Sequence, residues 1–212
     1  MDIRSKNPFY KIFGVFGEEL RKGTLNVISG PPGIGKTTML VHLGIYRVMC
    51  GYHILHISKA TPDKVSNYYN SILSEVLKEL SPKELEAHRE LITQKRTIIS
   101  FTEEGFSSKD LIRTISNLRA ISIEPCCLLM DGVDLVALSA GDFIDFLKGA
   151  DYEVWASTLS EGLSQHTIAI GLEVKLLQRG DWVLAKVTSR GEGDMEKKEG
   201  EFVLVCNSLI PK

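Results

Sequence analysis

The sequence predicts an α/β fold, a mostly parallel central sheet between helices with antiparallel hairpins at its C-terminal end. Three observations carry this. Val27-Ile28-Ser29 runs through a glycine-rich bend, Gly30 to Gly35, into a helix that starts at Lys36-Thr37-Thr38. Short apolar runs then alternate with helix-period segments as far as Ser157, an order that requires crossovers and hence parallel strands. Beyond His166, strand-like runs follow one another closely, as hairpins do.

Taken in order, residues 1–22 intersperse Phe9, Tyr10, Ile12, Phe13, Val15 and Phe16 with Pro8, Gly14 and Gly17. That mixture predicts an irregular leader, packed on the domain or lent to a neighbouring subunit. Leu25 to Ser29 is the first strand. The helix from Lys36 to about Cys50 turns Met39, Leu40, Leu43, Ile45 and Tyr46 inward, and Gly51 ends it. Tyr52 to Ser58 is the second strand. Thr61-Pro62 caps and starts a helix whose apolar face holds Val65, Tyr68, Tyr69, Ile72, Leu73, Val76, Leu77 and Leu80. Ser81 and Glu84 have capping-box spacing and open a mainly charged helix to about Gln94. Thr97 to Phe101 is the third strand, and Ser107 with Asp110 caps a helix with Leu111, Ile112, Ile115 and Leu118 inward. Cys126 to Asp131 is an apolar strand ending in a carboxylate. A short helix at Phe143 to Leu147 and a strand at Glu153 to Ser157 follow. His166–Gly171, Glu173–Leu177, Trp182–Thr188 and Phe202–Cys206 read as strands of an edge meander. With no internal repeat and no linker, the expectation is one domain over residues 1–212.

Composition narrows the function classes. A chain of 212 residues suffices for one α/β domain with a real core. Its formal net charge of −2 gives no strong general attraction to nucleic acid or to anionic membrane. No run approaches about 18 uninterrupted apolar residues, so no membrane span and a cytoplasmic location are expected. Cys50, Cys126, Cys127 and Cys206 lack paired metal-ligand spacing and read as reduced, small apolar side chains. The five histidines are scattered and none reads as a ligand.

The bend itself carries chemistry. Gly30, four residues, then Gly35-Lys36-Thr37 fits the phosphate-binding loop pattern. Gly30, Gly33 and Gly35 permit turns a Cβ would block, so the amides of Pro31-Pro32-Gly33-Ile34-Gly35 and Lys36-Thr37-Thr38 that bear a hydrogen can face an anion. The helix start adds unpaired N–H groups and the positive end of its dipole. Lys36 supplies a cation for the outer phosphates of a nucleotide, and the Thr37 hydroxyl is placed to ligate Mg²⁺. Asp131 is the carboxylate such a site needs opposite Thr37, while Asp134 is a candidate for an outer shell.

The loop, the Leu128-to-Asp131 strand, the Glu153-to-Ser157 strand and the β-rich end together resemble the RecA-like ATPase core. Within it they are most similar to the branch of KaiC-type clock ATPases and DnaB-type replicative helicases. The resemblance covers roughly residues 10 to 207. It implies a three-layer P-loop NTPase sandwich, with ATP and Mg²⁺ as ligands and Lys36 and Asp131 as catalytic groups. It also implies a nucleotide site between subunits, hence a homo-oligomer, a hexameric ring included, or a protein partner. The family carries one or two catalytic glutamates just before a helix start like Thr61-Pro62. Lys59 and Ala60 stand there, and neither accepts a proton from water at neutral pH. General-base help is worth about 10²- to 10⁴-fold, so hydrolysis is expected to be slow unless Asp63, Glu103, Glu104 or Asp134 substitutes. The family's basic finger from the adjacent subunit corresponds to Arg190, and less well to Lys186; a surface Arg at a strand end is the alternative.

A helicase grips its strand with basic or aromatic loops. The corresponding stretches, Gly132 to Gly141 and Thr158 to Gln165, contain neither. Nucleic acid is therefore not the favoured partner. Three readings stand: a Mg·ATP-dependent weak ATPase or oligomeric switch, a DNA-dependent recombinase or helicase-like ATPase, and a non-hydrolysing assembly module that holds nucleotide.

Overall fold

The computed structural model describes residues 3–17, 19, 22–101, 107–133, 141–149, 151–159, 170–189, 197–205 and 208–210. A 3₁₀ turn at Ile3–Lys6 leads into α1 (Pro8–Phe16), and then come β1 (Leu25–Ser29), α2 (Lys36–Met49) and β2 (Ile54–Ser58). Helices α3 (Pro62–Val76) and α4 (Pro82–Gln94) precede β3 (Arg96–Ser100), α5 (Ser108–Ala120) and β4 (Cys127–Asp131). The rest of the chain gives α6 (Gly141–Lys148), β5 (Glu153–Thr158), β6 (Ile170–Arg179), β7 (Trp182–Ser189) and β8 (Glu199–Val205).

The eight strands form one sheet in the order β3-β2-β4-β5-β1-β6-β7-β8. Strands β3 to β6 of that order pair in parallel, while β6–β7 and β7–β8 are antiparallel. Helices α1 to α4 bury their apolar sides in a core on one face, and α5 and α6 bury theirs on the other. This is the RecA-like three-layer sandwich. Its central strands are buried on both faces because helices cover both.

The predicted helix starts form as capped starts. Thr61 Oγ1 accepts from the Lys64 amide, and Ser81/Glu84 and Ser107/Asp110 close reciprocal capping boxes. Three expectations are corrected. Residues 8–16 of the expected irregular leader are helical: Asn7 caps them through the Phe9 amide, Pro8 suits a first turn, and Phe9, Ile12, Phe13 and Phe16 share one buried face. Gly14 is tolerated there at the helix's solvent side. The two expected strands at 166–171 and 173–177 are one strand in their described part, since Gly171 sits inside β6. There a Cβ would meet Thr24 Oγ1 at 2.5 Å, so the glycine permits a close approach instead of a turn. Tyr68 and Ile112, expected inward, lie at the rim, 37% and 41% exposed. Residues 166–169 and Cys206 fall outside the described residues. Cys50, Cys126 and Cys127 are free thiols. Among the described residues, no helix is long and apolar enough to cross a membrane.

Candidate phosphate and metal site

Strand order builds the site. β1 ends in the glycine-rich loop, β4 ends in Asp131, and β5 lies between them. The carboxyl ends of all three meet at one edge of the sheet, where ligands of open α/β sheets bind. Gly33 and Gly35 take φ of +76° and +101°, a region other residues rarely adopt, and this folds the chain from β1 into α2. Gly35 is the N-cap of α2 and offers no side chain to its first turn. The amides of Lys36, Thr37 and Thr38 therefore have no side-chain cap among the described residues. Pro31, Pro32 and Gly33 are exposed, Ile34 is buried beneath them, and nothing described lies within 4 Å of where a Gly33 Cβ would be. The loop is open on its outer side.

Within it, Lys36 Nζ donates to the Gly30 carbonyl at 3.0 Å and to the Pro31 carbonyl at 2.8 Å. Partial burial lowers its pKa from the ordinary lysine value, and the charge of Asp131 opposes that shift. Thr37 Oγ1 donates to Asp131 Oδ2 at 2.9 Å, across 94 residues of sequence. The predicted metal pair is thus brought into direct contact.

Sequence reasoning missed Ser157. At the carboxyl end of β5, beside Ile28 and one step beyond the Met130–Ala156 pair, its Oγ donates to Asp131 Oδ1 at 2.6 Å and accepts from the Gly132 amide at 3.2 Å. Both carboxylate oxygens of Asp131 are consequently held by hydroxyls. Once the strand order is known, the serine that ends the run Val154-Trp155-Ala156 is the signal. Strand order was not readable from the chain.

Other candidates separate. The Lys59 stem runs alongside Gly132, the residue that follows Asp131, where carbons Cγ and Cδ lie 3.8 Å from a would-be Cβ. Ala60 is half-buried and its amide donates to Ser58 Oγ. Asp63 is an exposed first-turn residue of α3. Lys186 is exposed and paired with Glu201 at 3.2 Å. Glu103, Glu104, Asp134 and Arg190 lie outside the described residues.

The donor set fits a magnesium nucleotide. Uncapped amides, one lysine and an open cradle suit phosphate oxygens; a hydroxyl paired with a carboxylate suits a hard divalent cation that keeps most of its waters. Among the described residues no three His, Cys, Asp or Glu side chains cluster as a metal cage. Such a cage is not what a phosphate-bound magnesium needs.

Among solved structures the chain is similar to an ATPase domain, with a TM-score of 0.66 and 13% identity, covering 95% of this chain and 87% of that one. At that identity the likeness shows the fold. No family model matches the sequence, and no curated protein matches it.

Proposed function

We propose that this chain is one cytoplasmic RecA-like domain of the KaiC/DnaB-type branch that binds Mg·ATP and acts as a weak ATPase or a nucleotide-dependent oligomeric switch. The observation that carries it is the 2.9 Å contact between Thr37 and Asp131 at the mouth of an open glycine loop. Residues 30–38 orient the phosphates through backbone amides, and Lys36 leaves its loop carbonyls to pair with their outer oxygens. Thr37 and Asp131 hold the cation, and Ser157 holds Asp131. Bound magnesium supplies neutralisation of phosphate charge. Lys59 and Ala60 before the Thr61-Pro62 helix start support slow hydrolysis, because neither side chain offers a base. Arg190 of an adjacent copy is the proposed finger.

The test is ATP binding by titration calorimetry with and without Mg²⁺. A hydrogen bond to a charged group is worth about 1.5–3 kcal/mol, so Lys36→Ala should weaken ATP by about 10- to 150-fold. Asp131→Asn should remove the gain that Mg²⁺ confers. Undiminished ATP affinity in Lys36→Ala defeats the reading. Turnover that rises with protein concentration supports Arg190 acting in trans, and turnover stimulated by single-stranded DNA moves the assignment to a DNA-dependent ATPase.

A further inference from the structure

The short segment that follows β8 touches the back of the phosphate loop. Leu209 N donates to the Val205 carbonyl at 2.8 Å, and Val205 N donates to the Ile210 carbonyl at 2.9 Å, so residues 208–210 fold back on the end of the strand. The turn holds Leu209 at φ +51°, a conformation that leucine seldom adopts and that persists only where surroundings enforce it. What enforces it is the site of its side chain. Leu209 is 1% exposed, and its Cδ1 lies 2.8 Å from where a Cβ on Gly35 would be. It fills the side-chain space of the very glycine whose left-handed turn aims the first amides of α2.

A second contact ties the same segment to the same helix. Gly35 and His42 are seven residues apart, two turns, and share a face of α2. His42 Nε2 sits 2.7 Å from the Ser208 carbonyl. A carbonyl only accepts, so Nε2 carries the hydrogen, and Nδ1 keeps a lone pair with no partner among the described residues although the ring is wholly buried. A buried acceptor left unsatisfied is costly, and an apolar residue would avoid it. The tether to Ser208 is what the imidazole provides there. The His42 carbonyl meanwhile accepts from Asn7 Nδ2 at 2.7 Å, so the N-cap of α1 grips the same residue from its other side.

We propose that residues 208–210 brace the phosphate loop from behind, with Leu209 and His42 as positioning residues that hold Gly35, and hence the amides of Lys36 to Thr38, in the orientation that meets a phosphate. This rests on the phosphate-binding reading above. A ligand whose competent loop is populated only a tenth of the time binds about tenfold more weakly, so loosening the brace weakens Mg·ATP without removing any group that touches it.

The experiment uses the full chain. Leu209→Ala, Leu209→Val, which falls short of Gly35 and as a β-branched residue also resists the φ of +51°, and His42→Phe, which fills the space but donates nothing, are compared with Leu209→Met and His42→Gln. Two quantities are read well below each variant's melting temperature: Mg·ATP affinity, and amide hydrogen exchange of residues 35–38 without ligand. The first three variants should bind Mg·ATP roughly tenfold more weakly and exchange those amides faster. Leu209→Met and His42→Gln, which restore reach or donor, should return both toward the wild-type values. Simple core filling would lower melting temperature alone. Folded Leu209→Val and His42→Phe with wild-type affinity and wild-type exchange overturn the brace. Wild-type protein that binds no Mg·ATP defeats the functional reading instead, and the exchange measurement then still decides the brace.

Discussion

Arg47 and Glu153 set up a test of what anchors the loop-bearing helix. Arg47 lies in the last turn of α2, Glu153 opens β5, and their side chains are 1% and 0% exposed. Nε donates to Oε2 at 2.7 Å and Nη2 to Oε1 at 2.8 Å, while the guanidinium lies 4.3 Å over the Phe13 ring of α1. Burial works against the guanidinium charge, but the Glu153 carboxylate outweighs it and raises the arginine pKa. Arg47→Met would seal a carboxylate in the core without its cation, a loss of about 3–5 kcal/mol. That is a large part of a typical domain stability of about 5–15 kcal/mol. The double change Arg47→Met/Glu153→Leu removes both charges, and replacing a buried pair by apolar groups is commonly neutral or better. The assay is urea unfolding followed by the fluorescence of Trp155, buried edge-on against Phe9 with ring centroids 5.5 Å apart. The double variant should be markedly more stable than Arg47→Met. If Arg47→Met costs under about 1 kcal/mol, or the two single losses simply add, the pair is not the sealed anchor its geometry implies.

Two further outcomes follow from the same layer. A Cβ at Gly44 of α2 would collide with the Tyr69 hydroxyl and come within 2.9 Å of Ile54 Cδ1, so Gly44→Ala should over-pack the α2–α3 contact by about 1–3 kcal/mol, partly offset by alanine's helix preference. Tyr69→Phe, which by itself removes the 3.0 Å hydroxyl partner of buried His56 Nδ1, should cost less in the Gly44→Ala background than in the wild type in thermal melts, and equal costs would mean the clash lies elsewhere. Burial pushes the His42 pKa down to about 4, against about 6.5 in the unfolded chain. Between those values the unfolded state holds a proton that the folded state refuses, so stability is full above pH 6.5 and falls as pH drops toward 4. The loss from His42 amounts to about 3 kcal/mol, and burial moves His56 the same way. Urea midpoints from pH 7.5 to 4.5 should fall, less steeply in His42→Gln; a flat profile in the wild type contradicts the burial argument.

What was legible in the chain was what is local. Caps such as Ser81/Glu84 and the loop's glycine spacing act within a few residues, and so they read directly. Asp131 was visible because a carboxylate ends an otherwise apolar strand. Ser157 was not, because its meaning depends on β5 lying between β4 and β1, which no local pattern encodes. The first helix escaped for another reason: Gly14 and Gly17 suggest a break, yet Asn7-Pro8 and the spacing of Phe9, Ile12, Phe13 and Phe16 outweigh them once a core exists to receive that face. Leu209 carries no signal at all, since only the folded chain brings it to Gly35.

The charge balance of the site bears on the proposed function. In the proposed complex Lys36, together with the N-terminus of α2, worth about half a charge, would face the triphosphate. Asp131 stands on the far side, and Ser29, the residue before the loop, donates to the Glu173 carboxylate at 2.8 Å. Those two carboxylates offset much of the positive charge that Lys36, and the exposed Lys59 whose stem lies by Gly132, would present to a triphosphate. Tight binding in the proposed complex would therefore draw on a further cation, the divalent ion that Thr37 and Asp131 are proposed to hold, and would gain from a basic residue such as Arg190 of a second copy. An isolated subunit without magnesium should accordingly hold ATP more weakly than a magnesium-loaded assembly, and titration calorimetry at several protein concentrations, with and without Mg²⁺, measures the difference.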